Sequence, residues 1–471
     1  MSHTKNISLI TELKYFKYFF FFILGSVLHL LAYASINPIL IAGFFFLITL
    51  FSLKICLIKL DYFLISSFLQ LFTICWITAG VAALYFQFFG DESQLYGDAG
   101  VFFEIVTDNT NDFSLLEMRL LHEGSLAIVV WRKIYAFLFF IGFPKERYVG
   151  ITINIINVVL SGIVILKSVK YLFNDNRDKL ERCLNYLSLC GLFWLFASIH
   201  LRDSFVLLVL TVVYHSWVRF LCDSSKSYFF FHALFVSTLA TILIYFLRGS
   251  IVFIPPLIAI LALLVKMLKR ERLDLLFFLK LTIFISSLIF LFAYTNSLSS
   301  FINAIQVLNE GYGDLSKEQH SSSSLGVSLI ISQPIFVRIP LSLIYAYIFP
   351  IPIWSGVTSG VYWLFISCNT ILFYFLIPNI FYSIIECFSN FSKITSGVLF
   401  MVLCFIFLSI GVAFTSLEVR HIATVFPAIF ALSVFPEYRE KNIRYIIKMI
   451  RFYYIAIIIV IHIIWATIKF L

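Results

Sequence analysis

Arg202 and Asp203 interrupt the apolar stretch "FASIHLRDSFVLL" (196–208), with His200 just before them. Two other turns share this make-up: Arg248 in "IYFLRGSIVF", and Arg420 with His421 in "TSLEVRHIATVFP". A fourth segment, "GDESQLYGDAG", carries Asp91, Glu92 and Asp98. An arginine fork matches phosphate oxygens bidentately and stays charged at any working pH. A carboxylate or an imidazole can take the proton of a hydroxyl nucleophile. Arginines at a membrane surface beside such a base therefore suit transfer from a lipid phosphate or diphosphate to a hydroxyl acceptor. The arginines would stabilise the charge that develops on the departing phosphate. Taken singly, each residue also has an ordinary use. Arg202 could pair with Asp203 or cap helix carbonyls, and Arg248 and Arg420 could reach lipid headgroups. His200 and His421 could be hydrogen-bonded helix-end residues, and the acidic residues could form a solvated face. His320, in a serine-rich stretch, is a weaker candidate.

Composition decides which elements must position these residues. The 471 residues are 61% hydrophobic and 18% aromatic, with only 13% charged, far from the soluble norm of about 25% charged. Runs of about 20 apolar residues imply an all-α, polytopic membrane protein. No alternating barrel pattern and no cleavable leader are visible. The +9 charge reads as loop asymmetry, with no nucleic-acid partner implied. The eight cysteines form no CxxC pair, so neither zinc nor a disulfide framework is expected, and no cofactor is required.

Basic clusters at Lys5/Lys14/Lys17, Lys54/Lys59, 167–182, Arg219/Lys226, 266–272 and 439–451 mark cytoplasmic connections. Holding all six inside gives spans near 15–34, 36–53, 62–88, 148–167, 184–200, 205–222, 228–246, 251–267, 275–294, 357–377, 395–415, 420–435 and 452–468. The expectation is one polytopic domain over 1–471 with about 11–13 transmembrane helices. Two long periplasmic loops, near 89–147 and 295–356, would each carry an in-plane or re-entrant helix, at 127–143 and 341–353. Arg132 and Lys133 in the first, and Pro350 and Pro352 in the second, fit that better than lipid-exposed spans. All three arginine turns then fall on the outer side, where the charge rule leads one to expect few arginines.

The order of these features, "GDES..Y.DA", then RD, "LRGS", "FPIPIW" and "VRH...FP", resembles the bacterial O-antigen polymerases of the Wzy type. More broadly it is similar to GT-C membrane glycosyltransferases. The resemblance spans residues 89–430 and is one of pattern. It implies a multi-pass protein of the bacterial inner membrane that polymerises undecaprenyl-diphosphate-linked oligosaccharide repeat units at the periplasmic face. Implied partners are that lipid-linked oligosaccharide, the lipid bilayer and a chain-length regulator. By the same resemblance Arg202, Asp203, Arg248 and Arg420 would hold the diphosphate. Asp91, Glu92, Asp98 or His421 would activate the acceptor. Other readings stay open: a transferase using a lipid-monophosphate sugar, a glycan ligase, or a flippase of lipid-linked oligosaccharide.

Overall fold

A computed structural model describes residues 2–56, 61–90, 97–107, 126–223, 227–269, 330, 333–348, 360–415, 419–437 and 440–470. Among the described residues every regular element is helical. Eight helices are long and apolar enough to cross a membrane, and shorter apolar helices cover 37–53, 254–268, 336–348 and 419–433. Their outer faces expose large apolar side chains such as Phe19, Leu47, Phe235, Ile385 and Ile463, whereas Asn154, Asn157, Asn369, Asn379 and Ser383 are buried. Apolar outside and hydrogen-bonded polar inside is the distribution of a chain whose solvent is lipid. The protein is therefore a multi-pass helical membrane protein. Its chain divides into two compact units.

The first unit comprises 1–167, 181–211 and 356–369. Helices α1 (Ser2–Tyr33) and α3 (Tyr62–Phe89) run side by side in the same direction, so α2 (Asn37–Cys56) must return between them. The register is fixed by Tyr18 on Ser66 (3.1 Å), by the Trp76 indole donating to Ser26 (3.3 Å) and by His29 on the Trp76 carbonyl (3.1 Å). Helix α6 (Arg147–Leu172) runs the other way. Its Tyr148 ring meets Tyr33 at the C-terminal end of α1, with centroids 5.2 Å apart. Gly90, the C-cap of α3, thus lies at the same end of the bundle as the start of α6. Lys17, where the apolar part of α1 (16–33) begins, Lys54 near the end of α2, and Lys167 fall toward the opposite end.

Two shorter helices, α4 (Gly97–Thr107) and α5 (Leu126–Phe140), belong to the Gly90 end. The α5 helix is separated from α6 by Gly142 at φ +97 and by Pro144, a break that a continuous span would not contain. Tyr135 of α5 accepts the Gly150 amide (3.1 Å). That amide is one of the first N–H groups of α6, which have no partner within their own helix.

The expected single span over 184–200 is corrected. Helix α7 (Arg177–Ser188) is followed by α8 (Gly191–Ser198), with Cys190 extended between them. Eight residues rise only about 12 Å, too little to cross a hydrocarbon layer of about 30 Å. The physical reason for the break is close packing. A Cβ at Gly191 would stand 1.9 Å from the Phe365 carbonyl oxygen and 2.7 Å from the Asn369 amide nitrogen. The chain therefore passes directly against the backbone of α13 (Val361–Ser389) at that point.

The second unit comprises 168–180, 212–355 and 370–471. Helices α9 (Asp203–Cys222) and α10 (Ser227–Arg248) meet where Arg219 lies over the Phe229 ring (4.2 Å). A 3-10 turn, Gly249–Ile251, leads into α11 (Ile254–Leu268). Helix α12 (Ile335–Ile348) ties to α14 (Ser396–Thr415) through Tyr347 and Ser409 (2.6 Å). Gly397 starts α14 against Leu172 and Cys222, so α14 begins at the Arg219 end and finishes at the Arg248 end. The segment 419–433 then runs back as a 3-10 helix, Val419–Val425, followed by α15 (Phe426–Ser433). Seven 3-10 and eight α residues extend about 26 Å, whereas a plain α-helix of that length would reach about 22 Å. The tighter winding lengthens a segment that must join the two ends. Helix α16 (Lys441–Phe470) closes the chain.

At the far end of that segment Lys179 donates to the Phe435 carbonyl (2.9 Å), pairs with Glu437 (2.5 Å) and lies over the Phe173 ring (4.4 Å). Its side chain is buried while Glu437 is half exposed. Lys179→Ala removes the charge and leaves a carbonyl without its donor. The expected loss is about 2 kcal/mol, read as a lower thermal midpoint in detergent.

Candidate functional site

In the first unit the turn 199–202 joins α8 to α9 and is held from α6. Asn154 donates to the carbonyls of Ile199 (2.7 Å) and Leu201 (3.0 Å) and accepts from Ser204 (2.7 Å). The turn lies against the first residues of α6: a Cβ at Gly150 would fall 2.0 Å from the His200 ring. His200, Arg202 and Asp203 therefore occupy the Gly90 end, opposite Lys17, Lys54 and Lys167. Arg202 stands just ahead of α9 and its carbonyl accepts from Phe205 (3.0 Å). Asp203, 7% exposed, opens the helix, where its charge faces the positive end of the macrodipole.

Around this turn the α4 and α5 helices supply aromatic rings. The Arg202 guanidinium lies over Phe102 (5.4 Å) and Arg147, the first residue of α6, lies over Phe103 (5.1 Å). His200 packs on Trp131 with centroids 4.0 Å apart, and Phe103 approaches His200 at 6.1 Å. Arg132 is 3% exposed. Burial pushes the His200 imidazole down from 6.5 to about 3, with the charge of Arg147 adding to the effect. A buried neutral histidine costs stability once it must take a proton. Between pH 6.5 and 3 the unfolded chain holds a proton that the folded chain lacks, so stability falls as pH falls. The slope is at most about 1.4 kcal/mol per pH unit. Thermal midpoints at pH 7 and pH 5 should therefore differ more for the native chain than for His200→Phe. An equal decline in both would contradict this.

In the second unit the structure brings Arg248 and His421 into hydrogen-bonding contact. Guanidinium is a donor only, so in this contact the His421 Nε2 lone pair is the acceptor. Acting as a base, His421 would have to release Arg248 first. Thr424 donates to the His421 carbonyl (3.0 Å) and Tyr214 donates to the Thr424 carbonyl (3.3 Å), which fixes the 3-10 helix. Arg420 precedes His421 and is partly exposed.

Arg202 and Asp203 thus belong to one unit, and Arg248, Arg420 and His421 to the other. Asp91, Glu92, Tyr96, His320 and the expected span 275–294 lie outside the described residues. Asp98 is the second residue of α4, one turn before Phe102; its side chain lies outside the description too. Among the described residues no set of three His, Cys, Asp or Glu side chains converges as a metal site.

Arg147 escaped sequence reasoning because "FPKERYVG" reads as a connection. One signal could have found it: a cation opening a long helix opposes the macrodipole. No family model matches the chain, and no curated protein sequence matches it.

Proposed function

We propose that the chain is a glycosyltransferase that joins lipid-diphosphate-linked oligosaccharide units at the outer face of a bacterial inner membrane. The observation that supports it is the position of Arg202: on a hydrogen-bonded turn at the bundle end away from Lys17, Lys54 and Lys167. Reading the basic clusters of the whole sequence as cytoplasmic turns that end outward; it also carries Arg132, Lys133, Lys145 and Arg147. In the reaction an acceptor hydroxyl attacks the anomeric carbon of the donor. The carbon–oxygen bond to the diphosphate breaks, and its electron pair leaves on the diphosphate oxygen. The hydroxyl proton passes to a carboxylate, for which Asp91, Glu92 and Asp98 are the candidates. In the first unit Arg202 serves as a phosphate ligand oriented by Asp203; Arg248 and Arg420, in the second unit, are the phosphate ligands that the resemblance adds. The energy comes from the diphosphate ester, so no nucleotide enters.

A second reading has its own support. The break between α7 and α8 and the 3-10 stretch 419–425 are discontinuities of the kind that transporters place at substrate sites. A flippase of lipid-linked oligosaccharide would use them. Glycan analysis of a strain lacking the gene separates the possibilities. A polymerase leaves single repeat units on the final acceptor, and a ligase leaves long chains on the carrier lipid. A single-sugar transferase alters sugar composition, and a flippase leaves its substrate at the cytoplasmic face. Single repeat units are the expected result, and any of the others overturns the proposal.

A further inference from the structure

The sequence assigns one arginine, Arg202, to the first unit's phosphate site. We propose that Arg147 is a second phosphate-binding residue of that site, acting with Arg202 across helix α4; this rests on the function proposed above. The argument begins with the shared support of the two cations. Arg147 and Arg202 lie over Phe103 and Phe102, adjacent residues of one short helix. The turn bearing Arg202 is bonded to α6, the helix that Arg147 opens, through Asn154. His200 packs between these parts, touching Phe103 and Trp131.

The placement runs against local preference. Each arginine stands at the start of a long helix, where a cation costs up to about 1 kcal/mol. Glu146 and Asp203 beside them offset part of this. A second observation points the same way. Trp131 is fully buried in this cluster, and its indole N–H meets no acceptor. Leaving such a donor unmet costs about 1–3 kcal/mol. An oxygen-rich anion, which is all acceptor, is the class of ligand that two guanidinium groups take.

Magnitudes decide whether an anion could displace the aromatic partners. A cation–π contact at a partly exposed site contributes about 0.5–1 kcal/mol. A hydrogen bond to a charged group contributes about 1.5–3 kcal/mol, and a guanidinium can make two in parallel. Compared with the ring contacts alone, a diphosphate is the stronger ligand for either guanidinium.

The test measures binding to the full chain in lipid nanodiscs. The probes are farnesyl diphosphate, farnesyl monophosphate and inorganic pyrophosphate. The expected result is that Arg147→Gln and Arg202→Gln each weaken farnesyl diphosphate at least tenfold, with Lys145→Gln as the unaffected control. Farnesyl monophosphate should bind more weakly than the diphosphate and lose less in either variant. Affinity confined to the farnesyl ester assigns the site to a lipid headgroup, and equal affinity for pyrophosphate assigns it to the free anion. Both uphold Arg147. Should Arg147→Gln not assemble, Arg147→Lys, which keeps the charge and loses the fork, should show an intermediate loss. If Arg147 variants bind like the native chain while Arg202→Gln does not, this inference falls and the proposed function stands. If the native chain binds none of the three probes, both fall.

Discussion

Arg202→Ala is expected to abolish long-chain glycan while the protein remains in the membrane at its usual level. The turn that carries Arg202 is held by backbone carbonyls accepting from Asn154 and by Ser204. None of these bonds involves the arginine side chain, so its truncation leaves the turn in place. What is lost, on the proposed function, is a cation that stabilises the charge developing on the leaving diphosphate. Removing one such donor costs about 10²–10³ in rate in enzymes where it has been isolated. A polymer needs many successive transfers, so a loss of that size in each removes the long products first. Arg248→Ala and Arg420→Ala should act in the same direction. Arg248→Ala carries an added effect, because it leaves His421 without its donor. Normal chain length in Arg202→Ala, with expression matched, would count against the role given to it.

Gly191→Ala should have the largest effect on folding. The added methyl carbon would stand 1.9 Å from the Phe365 carbonyl oxygen and 2.7 Å from the Asn369 nitrogen. Both are backbone atoms within α13, so neither can swing aside as a side-chain tip would. Either α8 withdraws from α13 or the helix bends. In each case the bond from Cys190 to Asn369 (3.4 Å) and the packing of the Trp194 ring on Phe365 are disturbed. Overpacking of this kind typically costs 1–3 kcal/mol, and more where backbone must move. The expected outcome is a sharp fall in the yield of monodisperse protein after detergent extraction. Gly43→Ala is the matched control, since a Cβ there meets nothing within 4 Å. Equal yields of the two variants would show that α8 is not seated on α13 as described.

Much of the bundle was legible because lipid imposes a simple rule: a crossing helix must be long and apolar. Residues 62–89, 147–172, 203–222 and 396–415 appear as helices within a few positions of the expected spans. The rule fails where a crossing is not one helix. Residues 184–200 carry the composition of a span, yet nothing in composition reports that Gly191 meets the backbone of α13. The 3-10 winding of 419–425 is likewise not reported by composition. Among the candidate residues, Arg202 in the first unit and Arg248 and His421 in the second stood out because charge is rare in this chain. Arg147 did not, because a cation in a connecting loop is ordinary until the helix it opens is seen. The rings of Phe102, Phe103, Trp131 and Tyr135 were hidden among 56 phenylalanines, 24 tyrosines and 7 tryptophans. Abundance removed their signal, and only packing restored it.

The most direct measurement is reconstitution of the purified chain in liposomes with an undecaprenyl-diphosphate-linked repeat unit and no nucleotide. The account predicts a ladder of lipid-linked oligomers differing by one repeat, with free undecaprenyl diphosphate released once per bond formed, and no ladder from Arg202→Ala. Substrate that stays monomeric, or that only changes leaflet, would contradict it.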